Sequence, residues 1–272
     1  MAVTVKKQES VEITPIKTKK LTINIVGTSP MIMHRFAFKA WQELLLPSQK
    51  KNQAAKAESL KHDPLNEFRE CLYRNRDDDA PSLFHVPTAM LQEAIASAAL
   101  DMPGATKSSV SRWVSVVGSE ADATNICLYG TPELYTTMVR SSDMNRTPDV
   151  RTRPIFRQWA ISGVTIEYKI DPLSDSSVLN LLAAAGVIVG CGDWRPQKGG
   201  SMGKFRICDD DDAEFKQIVE HQGRDPQLLA FEAPGYYDSD TADINQWFAE
   251  EIARREKILP SASKPVLKTV GG

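Results

Sequence analysis

Long apolar segments, cysteine pairs and metal-ligand spacings are all missing from this sequence of 272 residues. Hydrophobic residues make up 42% of the chain, but no apolar run approaches the roughly 18 residues of a membrane span. The first 20 residues are polar and contain lysine, without the apolar stretch of a secretory signal. We therefore expect a cytoplasmic protein without a membrane partner.

The cysteines and histidines are few and scattered, four of each. The cysteines form no CxxC pair, which predicts reduced thiols rather than a disulfide framework. The histidines have no metal-ligand spacing, and no Ser-His-Asp or Cys-His order stands out. The sequence therefore predicts no metal, no cofactor and no catalytic residue.

The net charge of −2 hides an uneven distribution along the chain. Residues 207–256 contain fourteen Asp and Glu against four Lys and Arg, a net charge of −10, so the rest carries +8. This division fits a basic nucleic-acid surface and an acidic region that faces solvent or meets a neighbouring copy. The acidic run 209–212 by itself is most typical of a solvated loop.

The composition predicts a single domain between two tails. Residues 1–18 and 260–272 are polar and lack an apolar period, so they are predicted to be disordered. The domain at 19–259 carries a helical insertion at about 36–80 and a hairpin-like insertion at about 136–154.

Hydrophobic periodicity predicts an α+β fold. Strands are expected at 21–26, 113–117, 126–129, 133–139 and 204–208, with hairpin arms at 155–161 and 164–170 turning at Ser162 and Gly163. Helices are expected at 88–100 with Thr88 as N-cap, at 176–189 capped by Asp175, and at 213–221 and 242–258. The order of the core elements predicts a ferredoxin-like βαββαβ core, an antiparallel sheet with helices on one face.

A glycine loop at residues 186–203 holds six of the 15 glycines. It carries a large aromatic ring and several cations, and Lys204 follows it, a mixture that fits phosphate with a stacked base. The dinucleotide fingerprint and the P-loop are both incomplete, which argues against nucleotide hydrolysis. Alternatively, the glycines only let a buried helix turn back into the last strand. The candidate binding residues are Gly190, Gly192, Trp194, Arg195, Lys198, Gly199, Gly200 and Lys204.

A second candidate surface is rich in arginine and interleaved with Phe156 and Trp159. Arginine favours bidentate phosphate contacts and stacking on bases, so the stretch predicts a groove that follows a nucleic-acid backbone. Alternatively, it is an exposed loop with incidental arginines and Trp159 belongs to the core. The candidates here are Arg140, Arg146, Arg151, Arg153 and Arg157, with His34 and Arg35 as a further cationic point after the first strand.

Three separated segments resemble the repeat-associated mysterious protein superfamily, the ferredoxin-like RNA-binding subunits of CRISPR effector complexes. Residues 21–34 (LTINIVGTSPMIMH) are similar to that family's first strand, and residues 85–95 (HVPTAMLQEAI) to its IPGSSLKGALR entry into the first helix. The third segment is the glycine loop before a final strand. The likeness is greatest to the backbone subunit and spans residues 21–208.

This resemblance implies that many copies line up along one single strand of RNA, and it makes other effector-complex subunits further candidate partners. By position, residues 140–153 match the thumb-like hairpin that wedges between nucleotides, while the first strand and the glycine loop match the strand-gripping surface. Gln92 and Glu93 stand near the lysine and arginine of the family pattern, which argues against a phosphate contact from the first helix.

Three other functions stay open on the sequence. A mobile element could use such a subunit as a single-stranded DNA-binding or recombination protein. Some members of the superfamily cleave RNA with a histidine or an aspartate, and His34 and Asp193 lie in the relevant segments, although nothing beside His34 except Arg35 could assist the leaving oxygen. The chain could also be an assembly protein whose basic face meets an acidic partner.

Overall fold

The fold comes from a computed structural model that describes residues 14–36, 45, 62–118, 122–140 and 147–258. Nearly all of both predicted tails, most of the first insertion and the candidate residue Arg146 lie outside the described residues.

Nine strands form two antiparallel sheets within the described residues. They are β1 (Thr18–Gly27), β2 (Met31–Ile32), β3 (Phe84–Pro87), β4 (Val114–Val117), β5 (Asn125–Tyr129), β6 (Pro132–Arg140), β7 (Pro148–Phe156), β8 (Ala160–Lys169) and β9 (Phe205–Cys208). The larger sheet has the order β3-β5-β8-β1-β9, and β4 also pairs with β8. The smaller sheet has the order β2-β7-β6. The predicted α+β class with an antiparallel sheet is confirmed.

Seven α-helices surround these sheets in the described part of the chain. They are α1 (Pro64–Glu70), α2 (Thr88–Ala98), α3 (Lys107–Trp113), α4 (Asp175–Ala184), α5 (Ala213–His221), α6 (Arg224–Glu232) and α7 (Ser239–Ile258). The helix α4 continues as a π-turn over Ala185–Val189, which ends at Gly190 with φ 73°. Among the described helices, none combines the length and the apolar character needed to cross a membrane.

Helices cover both faces of the larger sheet. Ile25 and Ile161 pack with Leu91 of α2 and Leu182 of α4 in the main core cluster. The next residue along β1, Val26, packs in a second cluster with Phe215 and Ile218 of α5. Because successive strand residues point to opposite faces, α5 lies on the face opposite α2 and α4. The helices are therefore not confined to one face.

The predicted hairpin at 155–170 is wrong. Ser162 and Gly163 lie inside the continuous strand β8, and β7 and β8 pair in succession with β2 and β1, so the chain passes from the smaller to the larger sheet without the hairpin turn that was expected. The strand β7 pairs with β6 over nine positions, from Arg140↔Pro148 to Pro132↔Phe156, and belongs to the smaller sheet. Residues 148–153, predicted as loop, are therefore strand, because long pairing with β6 stabilises them.

Helix positions are close to the prediction, but the caps differ. Residue 87, a proline, occupies the N-cap of α2 and makes no side-chain hydrogen bond, so Thr88 is the first helical residue. In α4 the cap is Ser174, whose Oγ accepts a hydrogen bond from the Ser177 N–H at 3.1 Å. The helix α6 was not predicted.

Trp159 packs where the chain passes from β7 of the smaller sheet to β8 of the larger sheet. Its side chain is 0% exposed, its indole Nε1 donates to the Ser29 carbonyl at 2.8 Å, and its ring meets Phe205 edge-on with centroids 6.3 Å apart. A Cβ on Gly27 would overlap the indole, so this glycine is required by the packing. The alternative that Trp159 belongs to the core is confirmed.

We expect Trp159→Ala to lower the free energy of unfolding by about 3–5 kcal/mol, because it leaves a large cavity at the junction of the sheets. Denaturant unfolding followed by circular dichroism measures this loss. The control is Trp194→Ala, since the Trp194 side chain is 50% exposed and should cost little stability. Equal losses in the two variants would contradict the packing role of Trp159.

Candidate functional site

An ion pair with an almost completely buried guanidinium joins the β6–β7 hairpin to the glycine loop. The Arg153 guanidinium of β7 donates through Nη1 to the Asp193 carboxylate and through Nη2 to Thr137 Oγ1 at 2.8 Å. The Arg153 side chain is only 6% exposed. Sequence analysis placed Arg153 on a phosphate-binding surface, but this cation is already neutralised inside the protein.

Asp193 is the acceptor on which several groups converge. His34 Nδ1 lies 3.6 Å from its Oδ2, and the Trp194 N–H donates to its Oδ1 at 2.9 Å. His34, the Trp194 N–H and the charge of Arg153 hold the pKa of Asp193 well below its usual range, although partial burial acts in the opposite direction. The carboxylate therefore stays ionised at neutral pH and is a weak base.

The glycine loop is closed by its own hydrogen bonds. The Gly190, Gly199 and Gly200 N–H groups donate to the carbonyls of Ala185, Pro196 and Arg195 at 2.8, 2.9 and 3.1 Å. The Cys191 N–H donates to the Gly203 carbonyl, and the Gly203 N–H to the Pro30 carbonyl. These amides are therefore not free for a phosphate, contrary to the expectation from the sequence.

Close backbone packing explains why two of these positions are glycine. A Cβ on Gly192 would overlap the Ile32 carbonyl oxygen, and a Cβ on Gly200 would overlap the Trp194 carbonyl oxygen. Gly199 differs, because no heavy atom lies within 4 Å of its Cβ position and only its φ of 77° favours glycine. The glycines at 192 and 200 let the loop pack against the protein itself.

Trp194 is held with its ring at the surface. Among the described residues, Trp194 is the one non-glycine residue with a positive φ, which is 50°. Its N–H is bonded to Asp193, and its carbonyl accepts from the Met202 N–H at 3.1 Å. Such a backbone conformation is uncommon for a bulky side chain, and both neighbouring hydrogen bonds maintain it.

Three cavities adjoin along this side of the protein. The hairpin groove, about 790 Å³, lies between the β6–β7 hairpin and the glycine loop, and its lining includes Arg140, Arg151, Arg153, Asp193, Trp194 and Lys198. The methionine pocket, about 470 Å³, is lined by Met31, Met33, Met90, His34, Asp193 and Arg195 among others. The arginine cavity, about 1160 Å³, is lined by Tyr73 and His85 among others, and by four arginines and four aspartates: Arg35, Arg74, Arg76, Arg224, Asp77, Asp78, Asp79 and Asp122.

Shared residues connect these cavities into one surface. Asp193 lines both the hairpin groove and the methionine pocket, and Tyr73 lines both the methionine pocket and the arginine cavity. The structure therefore gathers along one surface most of the described residues that sequence analysis selected: His34, Arg35, Arg140, Arg151, Gly190, Gly192, Trp194, Arg195 and Lys198.

Two selected cations lie elsewhere. Arg157 forms an ion pair with Glu133 at 2.9 Å and lies over the Tyr237 ring, 4.1 Å from its centroid, so it anchors the segment before α7. Lys204 lines none of the three cavities, and its backbone N–H donates to Ser29 Oγ at 2.9 Å. Arg157 therefore makes internal contacts, while its side chain is 51% exposed.

Sequence analysis missed Tyr73 and the three methionines of the pocket. The chain contains eight methionines, and nothing in their spacing distinguishes these three. Only the alternation of Met31 and Met33 around Ile32, after the turn at Pro30, could have indicated side chains that share one face. The contact of Met90 with them depends on the packing of α2.

Aspartates of the acidic run 209–212 form hydrogen bonds and ion pairs within the protein. Asp212 caps α5 through the Glu214 and Phe215 N–H groups and pairs with Arg206 at 2.7 Å, which lowers its pKa to about 2. Asp210 accepts from Asn24 Nδ2 at 2.6 Å. Only part of the run is therefore the solvated loop that the sequence favours.

His85 is hydrogen-bonded to a neighbouring side chain. Its Nδ1 lies 3.0 Å from Asn75 Oδ1, and burial lowers the pKa of His85. Cys127 is the cross-strand partner of His85 and lies 3.8 Å from Asn75 Nδ2, but burial raises the pKa of its thiol. These groups do not form an activated nucleophile, and no cluster of three potential metal ligands occurs in the described ranges.

We expect Gly200→Ala to destabilise the fold more than Gly199→Ala. The first change places a Cβ against the Trp194 carbonyl, and such overpacking costs about 1–3 kcal/mol or more. The Cβ of the second change has no heavy atom within 4 Å. Its only cost is that of a residue other than glycine in the left-handed backbone conformation, about 1–2 kcal/mol of stability. Thermal unfolding of both variants tests this order, and a more stable Gly200→Ala variant would show that the loop is not packed as described.

Comparison with protein-family models gives no match for this chain, and comparison with curated proteins gives none either. The functional interpretation therefore depends on the geometry of the three adjoining cavities and on the charges around them.

Proposed function

We propose that the chain binds a single strand of nucleic acid, RNA in preference to DNA, and that several copies oligomerise along that strand. The observation that carries this proposal is the continuity of the three cavities through Asp193 and Tyr73. Such a surface has the extended form that a strand needs, whereas a small metabolite would need one enclosed pocket.

Charges and one aromatic ring support a strand as the ligand. Arg151 and Lys198 in the hairpin groove have no intramolecular carboxylate partner within 4.0 Å in the described part of the structure. Trp194 offers a half-exposed π-face in the same groove, and Arg35 supplies a cation in the arginine cavity. Alternating cations and a stacking platform are typical of single-strand binding proteins.

The proposed core is ferredoxin-like. Its central strands would be β1, β4, β8 and β9, joined in chain order by α2 and α4 as in a βαββαβ unit. The observed neighbours β9-β1-β8-β4, all antiparallel, support this assignment. The resemblance to the CRISPR backbone subunit implies the same core.

RNA cleavage is the weaker hypothesis on this geometry. Asp193 is occupied by Arg153 and its pKa is well below neutrality, so it would accept a proton poorly. A single-stranded DNA-binding protein of a mobile element would use the same phosphate contacts, and the 2′-hydroxyl decides between DNA and RNA. Paired RNA and DNA oligonucleotides of one sequence separate these two functions.

We expect phosphate contacts to dominate the affinity, so that it falls steeply with salt. The double change Arg151→Ala and Lys198→Ala should reduce the slope of log affinity against log salt by about 1.4, since each lost contact contributes roughly 0.7 on a single strand. Fluorescence anisotropy with a labelled RNA of ~30 nucleotides, which is longer than the site covered by one single-strand binding domain, measures the slope.

The matched control is the double change Lys19→Ala and Arg112→Ala. Both residues are exposed and line none of the three cavities. We expect the control slope to equal that of the unchanged protein. A slope that is the same in both double variants would place the binding surface elsewhere.

Assembly along the strand should depend on the acidic segment 207–256 meeting the basic surface of the next copy. The double change Asp209→Ser and Asp211→Ser removes two charges and leaves Asp210 and Asp212 in their hydrogen bonds. The Asp211 side chain is 96% exposed, so the change at this residue breaks a surface ion pair with Lys216 at 2.7 Å. With a strand of ~100 nucleotides, several sites long, we expect shorter filaments by electron microscopy and unchanged binding of a short oligonucleotide.

The control for assembly removes two charges outside the acidic segment, by Asp101→Ser and Asp171→Ser, both exposed. Filaments of this control should keep their length. Salt above about 0.5 M, where the Debye length falls to a few ångströms, should shorten all filaments. Isolated particles of one or two copies of the unchanged protein at every salt concentration would contradict the assembly.

A further inference from the structure

We propose that the methionine pocket receives one nucleobase turned out of the bound strand. This inference depends on the proposed function and assigns a specific role to a cavity whose apolar walls phosphate contacts do not explain. The pocket lies between β2, α2 and the glycine loop.

The walls of the pocket are apolar and suit the faces of a base. Met31, Met33, Val86 and Val189 are buried and line it, and Met90 is partly buried beside them. Thioether sulfur makes favourable contacts with aromatic rings at about 5 Å. The Met33 sulfur accepts the Tyr73 N–H at 3.3 Å, which fixes one wall of the pocket.

The rim of the pocket is polar and suits the edge of a base. The Gln197 Oε1 accepts from Arg195 Nε and Nη2 at 3.2 and 3.0 Å, so the Gln197 amide nitrogen is the part of that side chain left to a ligand. His34 and Glu93 add a second donor or acceptor and a carboxylate. Apolar walls with a few convergent polar groups are typical of sites that orient a planar ligand.

The position of the pocket fits a base that leaves a strand. Trp194 lines the hairpin groove, and Arg195, the next residue, lines the methionine pocket. A volume of about 470 Å³ is within the range of ligand pockets and exceeds the needs of one base. A strand that stacks one base on Trp194 therefore passes directly beside the pocket, where an already unpaired base enters at low cost.

The test observes the methionine methyl groups of the full chain by NMR, with two probes of equal length. One probe is a ~12-nucleotide RNA, about one site for a single-strand binding fold, and the other is the same sugar-phosphate strand without bases. We expect both probes to bind through phosphate, and only the RNA with bases to shift the Met31, Met33 and Met90 methyl resonances.

A variant that blocks the pocket provides the second measurement. Ala89 is exposed and lines the pocket, so Ala89→Trp should fill it from the surface without disturbing the core. We expect this variant to bind RNA about 5- to 150-fold more weakly, the effect of losing one stacked base, and to lose the methionine shifts. The control Leu100→Trp, at an exposed residue outside the three cavities, should keep both.

The outcomes separate the two proposals. Binding of RNA by anisotropy with no change at the three methionine methyl groups would overturn the base pocket and leave the proposed function intact. Failure of the unchanged protein to bind any single strand would overturn the proposed function and the base pocket together.

Discussion

The ion pair between Arg153 and Asp193 is the contact on which the rest of the candidate surface depends. It joins the smaller sheet to the glycine loop, and it holds a guanidinium that is almost completely buried. The Arg153 Nε has no hydrogen-bond partner in the described structure, so the charge relies on its two Nη groups. The Arg153 side chain is 6% exposed and that of Asp193 is 38% exposed, so it is the loss of Asp193 that would leave a buried charge without its partner, at a large cost in stability. The pKa of Asp193 is lowered in the fold by the hydrogen bond with His34 first, and also by the Trp194 N–H and the charge of Arg153. The ionised carboxylate therefore stabilises the protein above the usual carboxyl pKa, and this contribution is lost only as the pH falls through the lowered value.

The glycine loop lines both the methionine pocket and the hairpin groove. The amides of Gly190, Gly199, Gly200 and Gly203 are bonded within the protein, and Gly192 and Gly200 pack against its backbone, so these groups have little capacity to bind phosphate. The loop instead sets the positions of Trp194 and Arg195, which face neighbouring cavities. Rigid placement of a stacking ring beside cations reduces the entropy that a bound strand must otherwise lose from the protein side.

Elements with strong local patterns could be predicted from the sequence, and contacts between distant segments could not. The strand at 21–26 and the helices at 88–100 and 213–221 follow from alternation and helical periodicity, and they lie within or close to β1, α2 and α5. The β6–β7 hairpin lies close to the hairpin-like insertion expected at 136–154, but the full length of β7 could not be predicted, because this strand is specified by its pairing with β6 rather than by its own polar composition. Arg153 was assigned to the surface for the same reason. Its burial depends on Asp193, forty residues later, and an arginine gives no local signal of such a partner. The methionine pocket likewise exists only where β2, α2 and the glycine loop meet.

Ultraviolet cross-linking of the protein to a single-stranded RNA, followed by mass spectrometry, tests most directly whether the three cavities form one strand-binding surface. The account predicts cross-links at Trp194 in the hairpin groove and at Tyr73, which lies between the methionine pocket and the arginine cavity. Trp247, which is exposed on α7 in the acidic segment, should not cross-link to the strand. Cross-links at Trp247 with none at Trp194 and Tyr73 would contradict the account.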